Sequence, residues 1–347
     1  MKPIIVFILL LGWLQTSYCQ SNAKNYYTNI NKAELAICRG RLKAASKFYR
    51  KAFQCNESPY TIDLLNALRC EFYGEASPER LIQYTVLLSE MGSRINNCID
   101  SADYNSTYKS LLSIQDTVKP KYNQTLAHKL DSLLNQDQIP RRAGCWTYQD
   151  SCVKKVIYSD SSNMQAICNL FKLYGTINEQ SASVHGIFDL NIIIHHNLQW
   201  RIYPMQEILK KEVLAGNFDA RSFANIEDGN YMHQHFNDTT INTHRIYGSD
   251  SYYTIANVLI IFKAPKEQKQ LEKKRKELFL ESMDELAEKT IFQFNNNNKY
   301  FFNSYVNSLV LGNDEQNKAY AKEIMDLFDS KKVKGKYYIK KDASDTK

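Results

Sequence analysis

The chain of 347 residues contains little glycine and proline, with 12 and 7 residues respectively. These residues end helices and form turns, so their scarcity leaves few points at which a helix must stop. Apolar residues recur mostly three and four positions apart, which is the spacing of one face of a helix. The sequence therefore predicts a mainly α fold with at most a few short strands.

Several signature motifs are missing as well. The chain has no GxxxxGK[ST], GxGxxG or GxSxG sequence, so it lacks a phosphate-binding glycine loop and the nucleophile elbow of serine hydrolases. It also has no HExxH or CxxC sequence, which leaves a zinc protease, a zinc ribbon or a thioredoxin-type centre without support. We therefore expect no cofactor and no bound metal.

Charge of one sign is not in large excess, since the formal net charge is +7. The lysines are concentrated in residues 263–279 and 331–341, and glutamates are interspersed in the first of these runs. Such runs are typical of a solvated helix face and a terminal tail. We therefore expect no nucleic-acid partner.

A long apolar run occurs only at the start of the chain. Residues 1–19 contain Lys2 and an apolar stretch from Ile4 to Leu14, followed by small and polar residues. This pattern is typical of a secretory signal peptide and is too short for a comfortable membrane span. No second stretch approaches the length of a spanning helix, so we expect an exported protein, periplasmic or secreted, with no membrane span in the mature chain.

The signal peptide has a candidate cleavage site. Ser17 and Cys19 are small residues at the two positions that signal peptidase inspects, so the mature chain would begin at Gln20. The alternative is a lipoprotein anchored through Cys19. Tyr18 argues against it, because lipoprotein processing requires a small residue just before the cysteine.

Seven cysteines remain after the predicted cleavage. An exported protein can form disulfides, but the odd number leaves at least one thiol free or paired between chains. Cys145 and Cys152 are the best local pair, because the loop between them is short and polar. The alternative is that the thiols are buried and pack as small hydrophobic groups.

The N-terminal region is predicted to form helical hairpins. In residues 31–55 one helix would end near Arg39, Gly40 would form the turn, and a second helix would start near Leu42. A second pair is predicted in residues 60–74 and 77–92. The first pair resembles a tetratricopeptide hairpin, in which glycine follows the first helix and alanine and tyrosine line the second. That resemblance implies binding of another protein through these hairpins, and the alternative use is a helical scaffold.

Four segments are predicted from these patterns: a signal peptide (1–19), tetratricopeptide-like hairpins (20–122), a largely helical second domain against which they pack (123–262), and a C-terminal helical extension (263–347). Within the second domain, apolar spacing predicts helices at 125–138, 162–175, 185–199 and 203–217. Residues 251–263 have the composition of a strand or a buried segment. Residues 266–290 are predicted to form one long charged helix, and residues 300–312 could be either helix or strand.

Residues 133–250 resemble a family of bacterial domains of unknown function with DQxxR, AspxxAsn, QHAD and LYGTQ motifs. The matching residues are Asp137, Gln138, Arg141, Asp160, Asn163, His196, Tyr247 and Gly248. The chain departs from the pattern at Pro140, which would interrupt a helix that carries Asp137 and Arg141 as an i, i+4 pair. It also departs at His195, where the family has glutamine. The resemblance implies no particular activity.

The functional hypothesis is acid–base chemistry at His196. Six of the seven histidines lie between His185 and His244, but neighbouring side chains on a helix point about 100° apart, so His195 and His196 cannot chelate one ion together. A carboxylate beside His196 would make it a general base near neutral pH. The candidate catalytic residues are Asp137, Arg141, His196 and Tyr247, with Gln138 and Arg245 as binding residues.

The alternative is that the same residues are structural. His196 would then lie at the end of a buried helix, where the helix dipole favours an imidazolium. Asp137 with Arg141 or Arg245 would be a buried ion pair. The sequence thus supports two functional hypotheses: an exported helical scaffold or protein-interaction module, and an exported enzyme of hydrolase type that uses the Asp/Arg/His/Tyr set.

Overall fold

The computed structural model describes residues 22–56, 58–74, 77–95, 99, 105–143, 150–197, 205–234, 246–248, 252–256, 258–262, 268–296, 300–302, 307–308, 314–330 and 335–339. The predicted signal peptide and cleavage site, Cys145 of the predicted disulfide, and Arg245 lie outside these residues.

The N-terminal region consists of helical hairpins, as predicted. The helices are α1 (22–38), α2 (Leu42–Phe53), α3 (Thr61–Tyr73), α4 (Pro78–Glu90) and α5 (Ser106–Thr117). The turn between α1 and α2 is made by Gly40, whose φ of 67° lies in the left-handed region that glycine adopts without strain.

In the described part of the middle of the chain there are five helices: α6 (Gln124–Arg142), α7 (Asp150–Tyr174), α8 (Glu179–Asn197), α9 (Met205–Ala215) and α10 (Ala220–Gln234). The sequence patterns predict no helix at α10. Helix α8 is broken at Ser183, whose φ of 70° is left-handed. The Ser183 hydroxyl accepts a hydrogen bond from the Gly186 amide at 3.0 Å and so caps the second part of α8.

The described residues of the C-terminal part form three helices: α11 (Gln268–Glu277), α12 (Met283–Asn295) and α13 (Asp314–Asp329). The prediction of one long helix over 266–290 is therefore wrong. Phe279 has a left-handed φ of 62°, and Ser282 and Glu285 form a capping box that starts α12. The serine and the glutamate satisfy each other's backbone amides, so this sequence favours a new helix start over continuation.

A small sheet completes the fold. Its strands are β1 (Tyr252–Ile255), β2 (Val258–Phe262), β3 (Asn307–Ser308) and β4 (Gly335–Ile339), in the order β3-β1-β2-β4. β1 pairs antiparallel with β2 and parallel with β3, and β4 is antiparallel to β2. Residues 251–263, predicted to form a strand or a buried segment, thus contain two strands that pair with each other. The segment 263–347 is not purely helical, because it supplies β3 and β4.

The two faces of the sheet are covered by different helices. Leu259 and Ile261 pack with Leu286 of α12, while Val258 and Ile260 pack against α13. Alternation along β2 explains this, since successive side chains in a strand point to opposite faces. None of the described helices is long and apolar enough to cross a membrane.

The main hydrophobic core runs from Tyr26 in α1 to Phe302 near the end of the chain and includes residues of α1–α10. It crosses the predicted boundary between residues 122 and 123, so the N-terminal hairpins share one core with helices α6–α10. The fold class, mainly α with a few short strands, is confirmed.

A buried ionic network connects N-terminal helices α1 and α3 with helices α10 and α12. Arg221 of α10 contacts Glu34 of α1 at 2.9 Å and Asp63 of α3 at 3.2 Å. Lys289 of α12 contacts Glu34 at 2.5 Å and Glu281 at 3.7 Å. Burial raises the pKa of Glu34 above its ordinary value, while Lys289 and Arg221 oppose the rise. Helices α1, α3, α10 and α12 are therefore joined by charges as well as by apolar contacts.

The described cysteines are in two states. Cys152 is disulfide-bonded, whereas Cys38, Cys55, Cys70 and Cys168 have free thiols. Cys70 and Cys168 are buried in the main core, as expected for thiols that pack as small hydrophobic groups.

Candidate functional site

The candidate site lies between α6, α7 and the second part of α8. Gly186 of α8 allows α6 to pack closely, because a Cβ at this position would meet the Leu130 Cδ1 atom of α6 at 3.3 Å. A side chain there would require Leu130 to shift. This close packing positions Asp137 of α6 opposite His196 of α8.

His196 and Asp137 form the centre of the site. The Nδ1 atom of His196 lies 2.6 Å from the Oδ2 atom of Asp137. The Asp137 side chain is fully buried, while the His196 side chain is 22% exposed. A carboxylate that holds the proton on Nδ1 fixes the imidazole tautomer in which Nε2 is the basic nitrogen. The imidazole of such a pair can exchange protons with solvent, while the carboxylate that orients it remains buried.

Arg141 links Asp137 to α7. Its Nη1 atom contacts Asp137 Oδ1 at 2.9 Å, and its Nη2 atom donates to both carboxylate oxygens of Asp160 at 2.9 and 3.1 Å. All three side chains are buried. Because the guanidinium is engaged by two carboxylates, its geometry suits it to hold Asp137 in position and does not suit it to bind an anionic substrate.

Two amide side chains complete the surroundings. Gln138 donates from Nε2 to Asp137 Oδ2 at 2.7 Å, the same oxygen that faces His196. The predicted binding residue thus contacts the carboxylate itself. Asn163 donates to the Leu133 carbonyl at 3.2 Å, while its own buried Oδ1 atom accepts no hydrogen bond from any described residue.

Pro140 does not interrupt α6, contrary to the expectation from its sequence position. The helix continues to Arg142, and the i, i+4 pair of Asp137 and Arg141 is formed. Proline lacks the amide that would donate to the Gln136 carbonyl four residues earlier. The Ser159 hydroxyl of α7 donates to this carbonyl instead, at 3.1 Å. The proline is tolerated because a neighbouring helix replaces the missing donor.

The charges of the site nearly balance. Two carboxylates, Asp137 and Asp160, face the single guanidinium of Arg141, so a proton on His196 brings the cluster to zero net charge. Burial raises the pKa of Asp160, and the charge and hydrogen bonds of Arg141 oppose this rise. A positive charge on the imidazole would therefore be compensated by the two nearby carboxylates.

Tyr247 has a different set of neighbours. Its amide donates to Asp228 at 2.7 Å, its carbonyl accepts from Arg275 at 2.8 Å, and its ring packs against Phe223. Burial, with the charges of Glu227 and Asp228, raises the pKa of its hydroxyl. The described contacts therefore associate Tyr247 with α10 and α11, and they do not bring it to His196.

The adjacent histidines have separate surroundings. His195 is exposed, whereas His196 faces Asp137. Among the described residues, no group of three or more His, Cys, Asp or Glu side chains could hold a metal ion.

Sequence reasoning did not find the buried ionic network around Arg221. One signal was present, because Glu34 falls among Ile30, Ala33 and Ile37 on the buried face of α1. A carboxylate on an apolar helix face requires a partner. The partners themselves are far away in sequence and could not be identified by spacing.

In the sequence, Asp160 is one of the residues that match the family motifs. Asp160 contacts Arg141, which in turn contacts Asp137, so its link to His196 is indirect.

No family model, curated protein or solved structure matches this chain.

Proposed function

We propose that the chain is an exported enzyme that performs acid–base chemistry of hydrolase type, with His196 as general base. The observation that carries this proposal is the 2.6 Å contact between His196 Nδ1 and the buried carboxylate of Asp137. In the proposed step, Nε2 removes a proton from a water molecule as the water attacks the substrate. The same nitrogen then returns the proton to the leaving group.

The other residues of the site have positioning roles in this proposal. Asp137 orients the imidazole and compensates its charge when it is protonated. Arg141 holds Asp137, and Asp160 holds Arg141. This chain of buried contacts fixes the base to within a narrow range of orientations, which is what a proton transfer requires. No described contact supports a catalytic role for Tyr247.

The proposal is tested with purified full-length mature protein and a panel of p-nitrophenyl esters, phosphates and glycosides. We expect one class to be hydrolysed, with His196→Ala reducing kcat by about 100-fold or more, in line with the usual contribution of a general base. His195→Ala is the matched control, because it removes the exposed neighbour, and it should leave kcat unchanged. Absence of hydrolysis across the panel, or full activity of His196→Ala, would contradict the proposal.

For the N-terminal helices we propose the role of a scaffold. The observation that favours this is the contact of Arg221 and Lys289 with Glu34, because it attaches α1 to α10 and α12 through buried charges. A tetratricopeptide-like surface for another protein is the second proposal for these hairpins. Expression of residues 20–122 alone distinguishes them: a scaffold region would be unfolded by circular dichroism, whereas an independent interaction module would be helical.

Export is also part of the proposal. The apolar run after Lys2 supports it, and so does the disulfide at Cys152, because disulfides persist in oxidising compartments. Mass spectrometry of the protein recovered outside the cytoplasm should give a mature chain that begins at Gln20. A chain that retains Met1 in the cytoplasm would contradict it.

We further propose membership of the bacterial family with the DQxxR and QHAD motifs. Its support is that residues from three separate motifs, Asp137 with Arg141, Asp160, and His196, contact one another. If this cluster is the reason for the motifs, Arg141→Met and His196→Ala should both abolish the activity that the panel detects.

A further inference from the structure

A pocket that shares no lining residue with the His196 site opens beside the break in α8. It lies between the start of α3, residues 178–191, and the turn between α9 and α10, and its volume is about 340 Å³. Its apolar walls come from Ile62, Val184, Ile187, Phe188 and Phe218. A volume of this size is at the small end of known ligand pockets, which range from roughly 300 to 1,000 Å³.

The Phe188 side chain is 59% exposed while it lines the pocket. Large apolar side chains are more often covered, and an exposed aromatic ring at the mouth of a cavity is a common element of ligand sites. Its ring face could also receive a cation.

Two polar side chains of the pocket offer hydrogen-bond acceptors to a ligand. The Oδ1 atom of Asn191 is buried and accepts no hydrogen bond from any described residue. An acceptor in this state raises the energy of the protein unless a donor reaches it. Glu179 adds a carboxylate to the same lining, and its Oε2 atom is anchored by the Thr61 amide at 2.5 Å.

The charged side chains that line the pocket are acidic. Its lining contains two carboxylates, Glu179 and Asp219, and no basic side chain among the described residues. Asp219 already accepts hydrogen bonds from Ser222 and Arg221, so Glu179 is the carboxylate better placed to meet a ligand. Burial raises the pKa of Glu179 to about 7, although its hydrogen bonds with Thr61 oppose the rise. A cation beside Glu179 would favour its charged form.

We propose that this pocket binds a small organic amine. Its ammonium group contacts Glu179, a donor of the ligand satisfies Asn191 Oδ1, and its apolar body packs against Ile187 and Phe188. The site does not share residues with the Asp137 and His196 pair, and the proposal does not rest on the proposed enzymatic function.

The test is isothermal titration calorimetry of the full mature chain at about pH 8, where Glu179 is charged, with three probes of similar shape: phenethylamine, 2-phenylethanol and phenylacetate. We expect phenethylamine to bind with a measurable Kd, 2-phenylethanol at least tenfold more weakly, and phenylacetate not at all. Glu179→Gln should weaken phenethylamine at least tenfold. Glu207→Gln, which changes an exposed glutamate in the first turn of α9, should leave the Kd unchanged.

Two further variants keep the test decisive if Glu179→Gln does not fold. Phe188→Ala changes an exposed side chain and should weaken phenethylamine about threefold. Ile187→Trp should fill the pocket and abolish binding. The proposal is overturned if phenethylamine shows no heat of binding at millimolar concentration, if phenylacetate binds equally well, or if neither Phe188→Ala nor Ile187→Trp changes the Kd.

Discussion

The hydroxyl of Ser159 donates to the backbone carbonyl of Gln136 at 3.1 Å, and this carbonyl lacks its usual helical donor because the residue four positions later is Pro140. We therefore expect Ser159→Ala to lower the free energy of unfolding by about 1 kcal/mol, the usual contribution of one such hydrogen bond. Urea denaturation monitored by circular dichroism measures the change.

A double-mutant cycle supplies the control for this prediction. Pro140→Ala restores an amide that can donate to Gln136, so Ser159→Ala should cost less in that background. Equal costs in both backgrounds would show that the hydroxyl does not replace the missing donor.

Arg141 contacts two buried carboxylates, and its loss should lower the stability strongly. Arg141→Met leaves Asp137 and Asp160 buried without a cation, so we expect the free energy of unfolding to fall by roughly 3–5 kcal/mol. The stability of Arg141→Lys should lie between that of Arg141→Met and that of the unchanged protein, because an ammonium keeps the charge but cannot make the same bidentate contacts. The neighbouring Arg142 is exposed, so Arg142→Met is the matched control and should change stability little. A similar loss in both methionine variants would argue against the ionic role of Arg141.

The raised pKa of the Glu227 carboxyl should make the free energy of unfolding depend on pH. Burial raises its pKa from 4.5 to about 7, although the Gln206 amide opposes the rise. Between these values the folded chain holds a proton that the unfolded chain has released, so the free energy of unfolding falls as the pH rises from 4.5 to 7. Glu227→Gln should remove this contribution, which is on the order of 3 kcal/mol, and make the protein more stable above the folded-state pKa.

The measurement is a set of urea titrations from about pH 4.5 to about pH 8, which spans the titration of this carboxyl. Glu34 and Glu179 titrate in the same window, and both remain in the variant, so the difference between the two curves isolates Glu227. The exposed Glu315 of α13, which is not among the charges that act on Glu227, provides the control variant, Glu315→Gln. If the free energy of unfolding depends on pH in the same way in Glu227→Gln and in the unchanged protein, the pKa of Glu227 is not raised by folding.

Lys289 is 1% exposed and contacts Glu34 and Glu281. Lys289→Met keeps the aliphatic volume but removes the cation, so at about pH 8 we expect a loss of roughly 3–5 kcal/mol. The loss should be smaller near about pH 5, where Glu34 takes up a proton, and Glu34→Gln should recover part of it at the higher pH. Lys274 is 42% exposed, so Lys274→Met should have almost no effect by thermal denaturation. A pH-independent loss in Lys289→Met would contradict the ionic explanation.

The helices with clear end signals could be predicted from the sequence. Gly40 and Pro78 mark a turn and a helix start in the structure as they do in the sequence. Helix α10 was missed because it is rich in polar residues, and Asn225, Glu227 and Asp228 are buried in it nevertheless. Hydrophobic periodicity cannot detect a helix whose buried face is polar.

The sequence could predict which residues belong to the site, but it could not predict most of the contacts between them. Asp137 and Arg141 are one helical turn apart, so their pairing follows from local spacing. The contact of Asp137 with His196 spans 59 residues, and only packing of α6 on α8 creates it. The effect of Pro140 could not be judged without Ser159, which lies on another helix.

Glu34 and Lys289 are separated by 255 residues, so their contact can form only after α12 has been synthesised. Helix α1 is made first by the ribosome, yet its buried carboxylate has no ammonium partner until α12 has emerged. An incomplete chain would have to bury Glu34 against Arg221 alone or leave α1 undocked, so the N-terminal hairpins should reach their final packing only after synthesis is nearly finished. The chain is proposed to cross a membrane in an unfolded state, and this delayed packing of the N-terminal hairpins would keep it unfolded during export.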